Sequence, residues 1–258
     1  MRTTSSRVFI TGASSGIGRA LAVEYARRGA TLALIARRAE VLAELADALP
    51  ATAYCYPLDV RDANALSEAG QDFMARAGCP DIVIAGAGVS AGTLTADPGD
   101  TDVFADILAT NLHGMMLTFR PFIEPMREKK AGALVGIASV AGFRGLPGAS
   151  AYCASKSAAI TYLESLRLEL GPEDIKVVTI CPGYVATPMT AVNPYRMPFI
   201  MSADRAARSI AAAISRGKRF HVLPWQMAVT GWLLRRLPRP LYDAIFARAP
   251  RKPRRISG

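Results

Sequence analysis

Histidine, tryptophan and cysteine are scarce: the 258 residues hold two, two and four of them. Neither His113 nor His221 has a cluster of cysteine or acidic partners beside it, so both read as structural residues and no metal site is expected. The cysteines, at 55, 79, 153 and 181, share no metal-type spacing and are too few for a disulfide framework. They read as reduced thiols of a cytoplasmic protein. Long apolar runs are missing, and none approaches the roughly 20 residues a membrane span needs. The N-terminus, Met-Arg-Thr-Thr-Ser-Ser-Arg, meets four apolar residues and then glycines, without a signal-peptide core. With 51% hydrophobic and 20% charged residues, a disordered or low-complexity chain is excluded as well.

Acidic residues are missing from one end. The net charge is +10, from 31 basic and 21 acidic side chains. Residues 216–258 hold eleven of the basic residues and a single acid, Asp243, while the first 215 residues carry twenty of each sign. The chain therefore reads as one balanced domain with a cationic end. Its expected division is a catalytic unit over 1–220 and a basic, apolar extension over 221–258.

What is present is an alternation of short β-rich runs with helix-length stretches. Val8–Ile10 precedes a helix over Ile17–Arg28, Thr31–Ile35 precedes Glu40–Ala48, and Ala53–Leu58 precedes Ala63–Ala77. Asp81–Ala85 leads to a long helix around 101–130, and Ala133–Ala138 to one around 151–170. Lys176–Ile180 and Phe220–Leu223 complete seven runs. Apolar strands without clean alternation, separated by helices, predict a mostly parallel sheet covered on both faces. Right-handed crossovers make it a Rossmann-type doubly wound α/β fold, with ligands at the C-terminal strand ends.

Thr11-Gly12-Ala13-Ser14-Ser15-Gly16-Ile17-Gly18 joins the first strand to the first helix. Glycines permit a tight turn and close backbone approach, and a helix N-terminus offers free N–H groups and a positive dipole end. In that position, the turn predicts nucleotide binding. Together with Asn111, Ser139, Tyr152-Cys153-Ala154-Ser155-Lys156 and Pro182-Gly183, it makes residues 6–216 resemble the short-chain dehydrogenases/reductases, in the family's order and spacing.

The resemblance implies a nicotinamide cofactor held by Gly12, Ser14, Ser15, Gly16, Ile17 and Gly18. NAD-preferring relatives usually carry an acid after the second strand; here Ala36 stands in that place, followed by Arg37 and Arg38. A guanidinium can grip a 2′-phosphate, so NADP(H) is expected, with NAD(H) as the alternative. The bland reading is that the two arginines only start a solvated helix. Asp59 and Val60 match the adenine contact, although Asp59 also suits a helix N-cap. After the fourth strand Ala85-Gly86-Ala87-Gly88 replaces the family's Asn-Asn-Ala-Gly. Ala87 and Gly88 keep the backbone approach, and the lost asparagine implies less rigidity rather than less activity. Pro182, Gly183, Val185 and Thr187 match the loop along the nicotinamide.

Tyr152 and Lys156 are four apart, on one helix face. A nearby ammonium lowers a phenol's pKa and readies it for proton transfer. Alone, such a pair is commonplace; the surrounding motifs give it weight. In the family the lysine also holds the nicotinamide ribose. Ser139, at the end of the fifth strand, can polarise a substrate carbonyl. Asn111, locally unfavourable within a helix, matches the residue that supports a proton-relaying water chain. The implied activity is carbonyl–alcohol oxidoreduction through Asn111, Ser139, Tyr152 and Lys156.

Residues 188–216 are expected to form a lid. Its apolar part, with Met189, Tyr195 and Phe199, together with Phe143, Leu146 and Tyr184, suggests an apolar or lipid-like carbonyl substrate; the competing reading is simple packing on the body. A helix capped by Ser202 is expected to run to about Ser215. The end departs from the usual family tail. Leu223–Pro238 and Leu241–Ala249, with flanking arginines, suit an interfacial helix on an anionic bilayer. They suit equally a helical hairpin packed on its own domain or on a second copy. Nucleic-acid binding is disfavoured, because no reading motif accompanies the charge. Homo-dimers or tetramers are usual in the family. A non-catalytic nucleotide-sensing or scaffold protein is the contrasting alternative, which the four-residue set argues against.

Overall fold

The computed structural model describes residues 6–254. Arg255 of the basic tail and residues 1–5 lie outside that range. All seven runs become strands of one sheet: β1 (Arg7–Thr11), β2 (Thr31–Ala36), β3 (Ala53–Pro57), β4 (Ile82–Ala85), β5 (Gly132–Ile137), β6 (Ile175–Pro182) and, after two short strands β7 (Val185–Ala186) and β8 (Met201–Ser202), β9 (Phe220–Leu223). The order is β3-β2-β1-β4-β5-β6-β9 and every pairing is parallel. The order reverses between β1 and β4, which opens a crevice beyond their C-terminal ends.

Successive side chains of a strand leave on opposite faces, so a strand covered on both sides must be apolar throughout. Val8, Phe9 and Ile10 show this, each fully buried. Val8 and Ile10 join Leu21 of α1 (Gly16–Arg27) and Ile210 of α8 (Ala203–Ser215). Phe9 joins Phe73 of α3 (Ala63–Ala77), Phe122 of α5 (Gly114–Lys129) and Leu163 of α6 (Ser150–Leu170). Burying each such side chain stabilises the fold by about 1.5–3 kcal/mol.

Helix α2 (Ala39–Ala48) fills the remaining crossover between β2 and β3, and the single turn α7 (Pro188–Ala191) follows β7. Asp62, not Asp59, caps α3, accepting from the Asn64 and Ala65 N–H groups, both at 3.0 Å. The reason is positional: α3 starts at Ala63, so Asp62 is the residue with extended backbone at its entrance. Ser202 caps α8 as expected, accepting from the Arg205 N–H at 3.3 Å. The expected long helix is divided: α4 (Thr101–Leu108) passes through a π-turn over Ala109–His113 into α5.

Beyond β9, α9 (Trp225–Arg236) and α10 (Arg239–Phe246) fold back onto the domain. Met227 and Tyr242 are buried. The Tyr242 hydroxyl donates to the Gly145 carbonyl at 2.5 Å, and Arg144 donates to the Leu234 and Leu237 carbonyls, both at 3.2 Å. The opposite face leaves Trp225, Val229, Trp232, Leu233, Leu241 and Ile245 at least half exposed. No described helix is long and apolar enough to cross a membrane.

Candidate active site

The turn after β1 forms the floor of the crevice. Gly12 has φ +73°, and a Cβ there would lie 2.8 Å from the Ala87 nitrogen. Only glycine lets the turn and the loop after β4 touch. Ser15, at the N-cap of α1, makes no side-chain cap bond, so the N–H groups of the first turn face the crevice with the helix dipole behind them. Arg37 and Arg38 follow the buried end of β2 and are exposed on the rim, where Arg38 donates to Ser14 Oγ at 3.1 Å. The cleft has a volume of about 420 Å³. Every residue of the expected cofactor set, from Gly12 to Thr187, lines it. A floor that Gly12, Gly16 and Gly18 open to close approach, an uncapped helix start and a cationic rim fit a phosphate-bearing dinucleotide.

Asp59 lies on this wall, and both of its oxygens bond Arg61, with Arg61 Nη2 at 2.7 Å from Oδ2. Those bonds hold its carboxyl below the usual range. Arg61 also reaches Asp106 of α4 at 2.9 Å.

Ser139, Tyr152 and Lys156 meet at the inner end of the cleft. Ser139 closes β5 with its hydroxyl accepting from the Ala141 N–H at 3.1 Å. Tyr152 and Lys156 project from the first turns of α6, the Lys156 ammonium 5.9 Å from the Tyr152 ring centre. Burial pushes the phenol up to about 12, opposed by the Ser139 hydroxyl. Burial also lowers the lysine to about 8, while its Nζ donates to the Ile137 carbonyl at 2.7 Å.

Asn111 lies behind the cleft wall, fully buried in the π-turn. Its Oδ1 accepts from the Val89 N–H at 2.8 Å, and its Nδ2 donates to the Val89 carbonyl at 2.9 Å and to Ser155 Oγ at 3.0 Å. It thereby ties the loop after β4 to the tyrosine's helix.

The expected substrate residues divide. Met189 lines the same cleft as Ser139. Tyr184 stands edge-on to Tyr195, with ring centres 6.5 Å apart. Leu146 accepts from the Ala149 N–H in the loop before α6. Phe143 turns away, with its ring against Gly231 of α9 and the Arg235 guanidinium 4.3 Å above it. His221 bonds Ser209 at 2.9 Å, and among the described residues no group of histidine, cysteine and acid could hold a metal.

Two neighbours of the site went unread in the sequence. Thr190 lines the cleft and locks Thr187, accepting from its N–H at 3.1 Å. Lys252, from the basic tail, stands with its ammonium 5.6 Å from the Tyr152 ring centre. The tail's charge was visible, but no local pattern says where a terminal segment folds back.

The short chain dehydrogenase family matches residues 6–196. An uncharacterised oxidoreductase of Myxococcus xanthus is 40% identical over 242 residues, 93% of this chain and 95% of that one. An 11-beta-hydroxysteroid dehydrogenase-like protein 4A of Arabidopsis thaliana is 35% identical, covering 88% of this chain and 79% of its own. Among solved structures, a short-chain dehydrogenase from Streptomyces avermitilis superposes with a TM-score of 0.79 at 27% identity, over 90% of this chain and 94% of that one.

Proposed function

This chain belongs to the short-chain dehydrogenase family, an oxidoreductase acting between alcohol and carbonyl with NAD(P), and from that membership we propose that it reduces an apolar or lipid-like ketone or aldehyde at the expense of NADPH. The observation that carries the reading is the convergence of Ser139, Tyr152 and Lys156 on one cleft with the Gly12–Gly18 turn and the Arg37/Arg38 rim. Residues 1–220 act as the catalytic unit and 188–216 as its lid.

When bound, the cofactor supplies the hydride. The protein's part is positioning and proton transfer. Gly12, Ser14, Ser15, Gly16, Ile17 and Gly18 hold the pyrophosphate. Arg37 and Arg38 hold the 2′-phosphate, and the uncharged Ala36 stands where an acid would repel it. Ser139 donates a hydrogen bond to the substrate oxygen. Tyr152 delivers the proton as that oxygen becomes a hydroxyl; a buried phenol retains its proton at neutral pH and so suits reduction. Lys156 anchors the ribose and lowers the cost of the phenolate left behind. Asn111 acts as a positioning residue through Val89 and Ser155. The apolar Met189 and the lid support an apolar substrate, as does the hydroxysteroid-type name of the plant relative. Homo-oligomeric assembly follows the family habit.

The exposed aromatic face of α9 and α10 favours one addition to this reading. Trp225, Val229 and Trp232 recur at helical spacing beside Arg235, Arg236 and Arg239, an arrangement that fits peripheral contact with an anionic bilayer.

Fluorescence titration of the purified protein with NADPH and NADH tests the cofactor. NADPH is expected to bind at least about tenfold tighter, with the difference lost in an R37A/R38A variant. Tyr152→Phe is expected to abolish NADPH oxidation and spare its binding. Tighter NADH binding overturns the cofactor assignment, and normal turnover by Tyr152→Phe overturns the role of the tyrosine.

A further inference from the structure

The last described residues cross the ligand edge of the sheet as a strap. Arg251 packs on Gly148 in the loop before α6. Two residues later, the Pro253 carbonyl accepts from the Gly92 N–H at 2.6 Å in the loop after β4. Arg254 then pairs with Asp97 and donates to the buried Asp100 at 3.0 Å. Both loops leave the C-terminal ends of strands, where doubly wound folds bind their ligands.

Between these anchors, Lys252 points inward. Its Nζ donates to Ser90 Oγ at 2.7 Å and lies 5.6 Å from the Tyr152 ring centre. An ammonium has three donors, and among the described residues this one forms no salt bridge. Tyr152 lines the cofactor cleft, whereas Lys252 and Ser90 do not. The lysine therefore meets the tyrosine ring from outside the residues that line the cofactor cleft. We propose that Lys252 is the anion receptor of the substrate pocket, carried there by the C-terminal strap to recognise a carboxylate on an otherwise apolar carbonyl substrate. This rests on the reductase reading above.

The physical case is one of incomplete charge. A partly buried ammonium without a counter-ion loses hydration that its one bond, to Ser90 Oγ, repays only in part. Burial accordingly lowers Lys252 to about 8. A substrate carboxylate restores the missing partner through a charge-assisted hydrogen bond, with the Ser90 hydroxyl as a second donor. One ammonium and one hydroxyl suit a carboxylate better than a phosphate ester, which calls for more donors. The basic residues of the strap divide the work: Arg251 and Arg254 hold it, and Lys252 faces the tyrosine.

The test uses the full chain and three aryl keto acids, 4-oxo-4-phenylbutanoate, 5-oxo-5-phenylpentanoate and 6-oxo-6-phenylhexanoate, each beside its methyl ester. For at least one pair, kcat/KM with NADPH is expected to favour the acid by about tenfold or more, mostly through KM. Lys252→Met should erase that ratio, Lys252→Arg should keep it, and Arg254→Gln should weaken it by loosening the strap. Equal use of acid and ester by the parent protein, or a ratio unchanged in Lys252→Met, overturns the proposal. Binding is measured separately by saturation-transfer NMR on the protein with NADP+, where no reduction occurs. Acid-selective binding that Lys252→Met removes supports the receptor even if no ketone is reduced, an outcome that sinks the reductase reading alone. Acid binding that is absent, or indifferent to Lys252, sinks the receptor.

Discussion

Gly86 and Lys156 show how single residues answer to their surroundings. Gly86 stands where the family pattern has asparagine, and a Cβ there would lie 2.8 Å from the Thr11 carbonyl. In this loop Thr11 Oγ1 accepts from the Gly86 and Ala87 N–H groups at 3.2 and 3.4 Å. Restoring the family residue is therefore harmful: Gly86→Asn should lower stability by about 1–3 kcal/mol, read as an earlier urea midpoint, with no gain in turnover. Lys156 responds to pH. Burial lowers its pKa from 10.5 to about 8, so between those values the folded chain binds fewer protons than the unfolded one. Its contribution to stability then rises with pH. Burial raises Tyr152 from 10.0 to about 12, which works in the opposite sense above pH 10. Comparing Lys156→Met with the parent cancels the tyrosine's share. Between pH 8 and 10.5 the stability difference should move in the parent's favour by on the order of 3 kcal/mol. A difference flat across that window refutes the assignment of this titration to Lys156.

Among the elements, what could be read depended on how local the cause was. Strand runs and the helices at 63–77 and 150–170 follow from apolar patterning, which each segment carries within itself. The glycine turn was equally legible, because its positive φ and close approach demand particular residues at fixed spacing. The π-turn at 109–113 was not. It places one extra residue in the turn, and the cause lies elsewhere: Asn111 has to reach Val89 on one side and Ser155 on the other. The asparagine's poor helix propensity was visible in the sequence, but the long-range bonds that hold it were not. Phe143 illustrates the same limit to local reasoning. Its position after β5 suggested a pocket wall, yet the docking of α9 turned its ring toward Gly231. The strap has no periodicity at all, and its path is set by Gly92, Asp97 and Asp100, more than 150 residues away in sequence.

At the scale of the whole molecule, charge is segregated. A neutral body carries a cationic end, and that end serves two sides. Its inner side supplies the contacts of Arg144, Tyr242 and the strap; its outer side exposes apolar residues beside arginines. Arg236 lies 4.1 Å from the Trp232 ring, so cation and aromatic share one surface. Each surface cation near an anionic bilayer contributes about 1 kcal/mol, and salt screens that attraction within roughly a Debye length. Apolar insertion is not screened. The two contributions therefore separate in a flotation experiment with phosphatidylserine-containing vesicles. The protein is expected to float at 50 mM salt and largely to sink at 500 mM, because a few half-exposed side chains do not hold it alone. Trp225→Ser/Trp232→Ser should sink at both concentrations while keeping NADPH binding, since neither residue touches the cleft. Sedimentation with the pellet at both salt concentrations for the parent protein refutes the bilayer, and leaves the face to be covered by a second copy of the chain.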